Sequence, residues 1–415
     1  MIYLKADAPT IEKKVWNHGD GDWDDWTDVN IGDTVKFKHE SNLPEMEGYD
    51  WYWFIVHDSM SAGLTLKMGS FDIYVGGDTT PLVRGTSRIG AYQTGAYADF
   101  ENENCDYIVM NSYPYTCSTP PNTEYSGLGV TNFAIIFNPA LFVDYPTHYG
   151  PHAKIEITYE AELNDEAVIA VSNTPNKYNP NKVYLEYSNN PYETGSSWTP
   201  GGETGATTED EVWVYTFELD LYKFTGPGGS DAGDLGTTPV PGATFNLYQG
   251  GAITAGEYDG GTLVKFVLVT SPVLSTDPVV YRVALESEPG NAVMTAPASG
   301  KISIIGLDAD VYYLEETSTP SPYNLDTKYY EVVIANESVN SSTKVVVYTI
   351  NTYVPTGQGA IPADINIFNG SDSGKLPETG GFGRSLFISI GILLTVSAHV
   401  TLSVRRKVRR MWLFM

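Results

Sequence analysis

Hydrophobic and polar residues alternate along most of this chain with a period of two, the repeat of a strand that buries one face. Residues 154–163 are the clearest case: Ile155, Ile157, Tyr159, Ala161 and Leu163 fall on one side, and Lys154, Glu156, Thr158, Glu160 and Glu162 on the other. Residues 9–15 and 31–38 alternate in the same way, and strands continue through residues 183–190. Residues 51–56 are apolar on both faces, so parity there is a weak guide. Residues 193–211, rich in Gly, Thr and Ser, predict a linker or long loop. A second strand-rich stretch opens with Trp213, Tyr215, Phe217, Leu219 and Leu221 at alternate positions and runs to about residue 370. The expectation is an all-β chain of tandem domains: a remnant of an upstream segment at 1–8, a first domain at 9–192, a linker at 193–211 and a second domain at 212–370. A length of 415 residues allows two or three domains, each with its own core, and Gly 40, Pro 25 and Tyr 29 favour strands and turns over helices.

The end of the chain breaks the pattern. Residues 386–404 are apolar over a length sufficient to cross a bilayer as a helix, and Arg405, Arg406, Lys407, Arg409 and Arg410 follow. A transmembrane helix is expected there, with its basic end in the cytoplasm and the preceding chain outside. Just ahead stands Leu376-Pro377-Glu378-Thr379-Gly380. Motif, span and basic end together resemble the LPxTG sorting signal of Gram-positive surface proteins. The resemblance implies that residues 371–415 are a cell-wall sorting signal, cut by a sortase between Thr379 and Gly380, with the Thr379 carbonyl passed to an amine. Thr395, Ser397 and His399 make the span more polar than a permanent anchor, which suits a segment held in the membrane only until cleavage. Residues 1–5 show no basic n-region, apolar stretch or cleavage site, so no signal peptide is present in this chain, and an exported protein of this kind is expected to begin further upstream.

A net charge of −27 disfavours nucleic acid and acidic lipid as partners. The two cysteines, Cys105 and Cys117, are close enough to close a small loop; outside the cell a disulfide is the default, worth about 3 kcal/mol, and a reactive thiol the alternative. The acidic stretch at residues 17–25 invites a calcium reading, but an EF-hand needs Gly where Asp25 stands and Glu where Ile31 stands. His148 and His152 have the spacing of a helical zinc pair, yet Gly150 and Pro151 between them forbid the helix. With no phosphate loop, CxxC pair or nucleophile elbow either, neither a cofactor, a metal nor a turnover active site is expected.

The chemistry that remains comes from parity. Lys223 extends the row Phe217, Leu219, Leu221; Glu316 extends Tyr312 and Leu314; Asn369 extends Ile365 and Ile367. An amine, a carboxyl and a carboxamide are thus each carried onto a buried face. In the first domain Lys13 lies between Ile11 and Val15, Asp58 follows Tyr52, Phe54 and Val56, and Asn189 follows Val183, Leu185 and Tyr187. Burying a lone charge costs several kcal/mol, so such groups neutralise, pair or react. Desolvation favours the neutral amine, a nucleophile, and the protonated acid, which polarises the carboxamide. The expected products are amides between Lys13 and Asn189, promoted by Asp58, and between Lys223 and Asn369, promoted by Glu316, each with loss of ammonia.

The same residues sit in motifs of a known family. Residues 312–323, YYLEETSTPSPY, resemble the E-box of Gram-positive pilins, with Thr319 and Pro322 in place of its Ala and Gly. Residues 240–248 resemble the strand that follows the Lys of Cna B-type, prealbumin-like domains. Residues 29–37, 57–64 and 187–191 are similar to the middle domain of SpaA-type backbone pilins. This implies tandem Ig-like β-sandwiches, Cna A-like then Cna B-type, self-crosslinked by the two Lys–Asn isopeptide bonds. It also implies polymerisation from the sorting Thr of one subunit to a pilin-motif Lys of the next. The near match here is Ile2-Tyr3-Leu4-Lys5, with Leu4 where Pro is usual, so Lys5 is the candidate acceptor and a plain surface lysine the alternative. The expected role is a structural pilus subunit at the cell surface, with sortase, neighbouring subunits and peptidoglycan as partners. The alternative is a wall-anchored adhesin for a host ligand.

Overall fold

The computed structural model describes residues 8–85, 88–89, 105–111, 131–145, 149–192, 204–226, 238–254, 257–354, 358–362 and 365–368. The expected transmembrane helix, the sorting motif Leu376 to Gly380, Lys5, Cys117, His148 and Asn369 lie outside these residues. Regular structure within them is strand throughout, save one helical turn at Leu141–Asp144. No helix among the described residues is long and apolar enough to cross a membrane. The chain divides into two compact units, the first taking in Met1–Phe217 with Gly306–Asp308 and Val339–Val346, the second the remainder.

The first unit pairs two sheets across a shared core. One carries, in order, Asp22–Asp24, Ile11–Asn17, Thr34–Asn42, Lys154–Leu163 and Leu64–Leu66, with Asp72–Val75 also on Lys154–Leu163. The other runs Trp26–Asp28, Asp210–Tyr215, Asn179–Ser188, Phe54–Met60, Thr131–Phe137, Tyr107–Asn111 and Arg88–Ile89. Alternation becomes burial directly: in Lys154–Leu163 the five residues Ile155 to Leu163 of the apolar row are all buried, and in Ile11–Asn17 the row Ile11, Lys13, Val15 is. Phe54–Met60 is buried on both sides because a second apolar cluster, Trp53, Ile55, Ile108, Met110, Ala134 and Ile136 with Cys105, occupies the rear of its sheet. This explains why residues 51–56 show no polar face.

The boundary between the units differs from the one read off the sequence. Thr204–Ala206 and Asp210–Tyr215 both pair with Asn179–Ser188, so much of the expected linker, and the start of the expected second domain, complete the first unit's sheet. The row Trp213, Tyr215, Phe217 reads as one strand, but it is broken at Thr216, and a new strand, Phe217–Thr225, begins with the same parity. Alternation cannot register a change of sheet when the parity survives it.

The second unit repeats the two-sheet plan. Phe217–Thr225 is flanked by Thr238–Pro239 and Lys301–Leu307 and takes Ile365–Phe368 as a parallel neighbour, with Val279–Val283 and Phe266–Thr270 completing that sheet. The other sheet centres on Thr244–Gln249, Val311–Ser318, Tyr329–Asn340 and Val345–Val354. Phe217, Leu219, Leu221 and Lys223 are buried from one sheet, and Phe245, Leu247, Tyr312, Leu314 and Glu316 from the other.

Candidate functional site

Each unit buries one lysine against one acid between its two sheets. In the first, alternation carries Lys13 inward from Ile11–Asn17 and Asp58 inward from Phe54–Met60, and both side chains are fully buried. Lys13 Nζ donates to Asp58 Oδ2, and also lies 2.8 Å from the Tyr159 hydroxyl and 3.0 Å from His39 Nε2. The Tyr159 hydroxyl donates to Asp58 Oδ2 at 2.8 Å, and His39 Nε2 lies 2.9 Å from the same oxygen. Asp58 Oδ2 and the Tyr159 hydroxyl accept from the Lys13 amine, and the Lys13 backbone N–H is held by Asp210 Oδ2 at 2.7 Å. The rings of Phe37 and Tyr159 stand 5.5 and 5.3 Å from Nζ.

The carboxamide that joins this cluster is Asn181, which sequence parity did not single out. Fully buried on Asn179–Ser188, it donates from Nδ2 to the Tyr159 hydroxyl at 2.8 Å. Asn189 is exposed beyond the end of that strand. Register explains the difference. Val183 is opposite Asp58, so Asn181 is two positions from it, about 7 Å at 3.3 Å per residue, whereas Asn189 is six positions away, about 20 Å. Asn189 is therefore corrected to Asn181 as the carboxamide within reach of Lys13. Both positions share one parity, so the row alone could not choose. Tyr159 and His39 were also missed: Tyr159 reads as one more large member of its row, and His39 sits mid-strand without a motif.

Burial works against the charged forms in this cluster, and the neighbouring charges decide the outcome for each group. Burial lowers Lys13 to about 8, against the opposing pull of Asp58. Burial and the Lys13 charge lower His39 to about 4, so its ring is neutral at physiological pH. Burial pushes Asp58 up, but Lys13 and His39 outweigh it and hold the carboxyl below its usual range. In this cluster Asp58 Oδ1, Asn181 Oδ1 and His39 Nδ1 are buried with no hydrogen-bond partner among the described residues. An unpaired buried polar atom costs about 1–3 kcal/mol. A proton on Asp58 Oδ1 would turn one orphan acceptor into a donor.

In the second unit Lys223 Nζ lies 3.0 Å from Glu316 Oε1, both side chains fully buried, with the Phe245 ring 5.8 Å from the amine. Glu316 Oε2 accepts the Asp326 N–H at 3.0 Å, and Asp326 is braced by the Tyr330 hydroxyl at 2.5 Å. The Lys223 backbone is pinned by Gly300 O and Val240 N at 2.8 and 3.0 Å. Gly300 has φ of 72°, and a Cβ there would meet Lys223 O at 2.7 Å, so only glycine fits. Ile367 is the parallel partner of Lys223, two residues before Asn369. Among the described residues no group of His, Cys, Asp and Glu is arranged to hold a metal. Cys105 is buried in the rear cluster of the first unit.

Residues 232–348 match the family model of the SpaA domain, a prealbumin-like fold domain. Most of the matched residues lie in the second unit. In sequence and in fold the chain is similar to surface proteins of Gram-positive bacteria. The trypsin-resistant surface T6 protein of Streptococcus pyogenes serotype M6 is 24% identical over 222 residues, which is 51% of this chain and 32% of that protein. The chain thus matches about a third of that relative's length. The C-terminal fragment of the major pilin GBS80 of Streptococcus agalactiae superposes with a TM-score of 0.50 at 19% identity, covering 88% of this chain and all of the fragment. The T6 backbone pilin structure aligns with a TM-score of 0.47 at 18% identity, covering 91% of this chain and 68% of that one. The SpaA-type match ends before residues 365–368, so the Ile365–Phe368 strand beside Lys223 extends the domain beyond it.

Proposed function

We propose that this chain is a structural subunit of a Gram-positive pilus, self-crosslinked in each unit and joined by sortase through Thr379 to a neighbouring subunit or to peptidoglycan. The observation that carries the reading is the buried Lys13, Asp58, Asn181 constellation, an amine, an acid and a carboxamide linked through one hydroxyl between the two sheets. Such a charge pair contributes little to stability as a salt bridge, because desolvation offsets its attraction. It is well suited to reaction. The Lys13 amine attacks Cγ of Asn181, the new C–N bond forms as the bond to Nδ2 breaks, and ammonia leaves. Asp58 holds the proton that Lys13 gives up and donates toward the carboxamide oxygen. Fixing the groups in the core supplies the advantage of an intramolecular reaction. Lys223, Glu316 and Asn369 carry out the same reaction in the second unit.

An amide between Lys13 and Asn181 spans nearly the whole first unit, so tension applied at the ends of the chain bypasses the strands between them. The sortase linkage rests on the motif at residues 376–380, and Lys5 remains the candidate acceptor. Two measurements test the reading. Intact-mass spectrometry of the full chain gives a mass lower by two ammonia molecules, and unaltered mass in folded protein refutes self-crosslinking. Cell-wall extracts give a high-mass ladder that Thr379→Ala abolishes; a ladder that survives refutes the sortase linkage.

A further inference from the structure

We propose that Tyr159 is a catalytic residue of the crosslinking reaction in the first unit, its hydroxyl passing a proton from the attacking Lys13 nitrogen to the departing Asn181 nitrogen. This rests on the Lys13–Asn181 reading above. Amide exchange cannot proceed without a proton transfer, because the attacking nitrogen must lose a proton and the leaving nitrogen must gain one before it departs as ammonia. The Tyr159 oxygen lies 2.8 Å from each of these nitrogens, and Asn181 Nδ2 makes its hydrogen bond there. Asp58 touches Lys13 and the Tyr159 hydroxyl, so the acid meets the leaving nitrogen through that hydroxyl.

The steps balance. Lys13 ammonium gives one proton to Asp58, leaving a neutral amine and a carboxylic acid. The amine lone pair forms the bond to Asn181 Cγ, and the carbonyl electron pair moves onto its oxygen. The attacking nitrogen then releases a proton to the Tyr159 oxygen as Tyr159 gives its own to Nδ2. The carbonyl re-forms, the bond to Nδ2 breaks and neutral ammonia leaves. Tyr159 ends as the phenol it began as, and Asp58 keeps the proton from Lys13.

The surroundings hold the hydroxyl in place between the two nitrogens. The Tyr159 ring stacks on Phe37 and Phe71, both with centroids at 5.3 Å, and meets Phe133 edge-on at 5.3 Å. Burial, followed by the charge of Asp58, raises the phenol well above its usual range, so it acts by exchanging protons and not as a phenolate. The charged and titratable groups that face it are Lys13, Asp58 and His39.

The test is the rate at which the Lys13–Asn181 crosslinked peptide accumulates after a pulse of synthesis, followed by peptide mass mapping of the full chain. Tyr159→Phe keeps the ring and removes the hydroxyl; the expected rate is lower by about a hundredfold or more, the range of a lost general acid–base group. A Tyr159→Phe chain that crosslinks as fast as wild type overturns the proposal while leaving the Lys13–Asn181 reading intact. Wild-type chain without the crosslinked peptide overturns both. A second measurement is independent of how the variant folds: the wild-type rate falls in heavy water, and equal rates in heavy and light water overturn the relay.

Discussion

Replacing Asn181 by alanine removes the electrophile and leaves the Lys13–Asp58 pair in place, so its effect isolates the crosslink. The bond closes a loop of about 170 residues, and the chain-entropy relation for such a loop gives about 5 kcal/mol of stabilisation relative to the open chain. For a unit of roughly 200 residues each kcal/mol moves the melting temperature by about 2–4 °C, so the first unit of Asn181→Ala should melt roughly 10–20 °C below wild type. Asn189→Ala, at an exposed position, should stay within about 0.5 kcal/mol of wild type. The assay is calorimetry of the full chain beside its intact mass. Asn181→Ala should fall short of its own sequence mass by one ammonia, and wild type and Asn189→Ala each by two. If Asn189→Ala is the variant that falls short by only one and melts lower, the register argument is wrong. If Asn181→Ala alters neither mass nor melting, the first unit is not crosslinked.

Asp58→Asn and Glu316→Gln should each suppress the ammonia loss of their own unit only, read by mapping crosslinked peptides. In the Asn181→Ala chain, His39 titrates near 4 when folded against 6.5 when unfolded, so the unfolded chain binds more protons between these values. Stability is therefore present above pH 6.5 and falls by about 3 kcal/mol as pH drops to 4, and His39→Gln should flatten that limb of a pH series of urea melts. Gly300→Ala should strain the backbone against Lys223 O and lower the melting temperature of the second unit, with slower crosslinking there by mass mapping. Limited trypsin digestion should cut Asn181→Ala within the first unit under conditions that leave wild type whole.

How much of this was legible in the sequence follows from what alternation can carry. It gives which side of a strand a residue occupies, and on that it identified Lys13, Asp58, Lys223 and Glu316 as inward groups; the structure buries all four. It located Lys154–Leu163 to the residue, because ten uninterrupted alternating positions admit one register of faces. It does not give position along the neighbouring strand, which depends on pairing between distant segments. Asn181 and Asn189 have the same parity, and only the pairing of Val183 with Asp58 separates them. Likewise a row whose parity survives the break at Thr216 conceals the passage from one sheet to another.

The two sites also show that an inward acid is held by whatever its strand neighbours provide. Asp58 is surrounded by side chains from three strands, Lys13, His39 and Tyr159. Glu316 pairs with Lys223 and takes in addition a backbone N–H from Asp326. A neutral His39 and a Tyr159 phenol that keeps its proton leave the proton balance of the first site to Lys13 and Asp58. The rate of crosslinking should accordingly depend on hydroxyl and imidazole chemistry in the first unit and on the Asp326 loop in the second. Tyr330→Phe, which frees Asp326 from its 2.5 Å brace, should slow the second reaction and leave the first unchanged. Equal slowing of both would mean that the acids are set by global packing and not by their own neighbours.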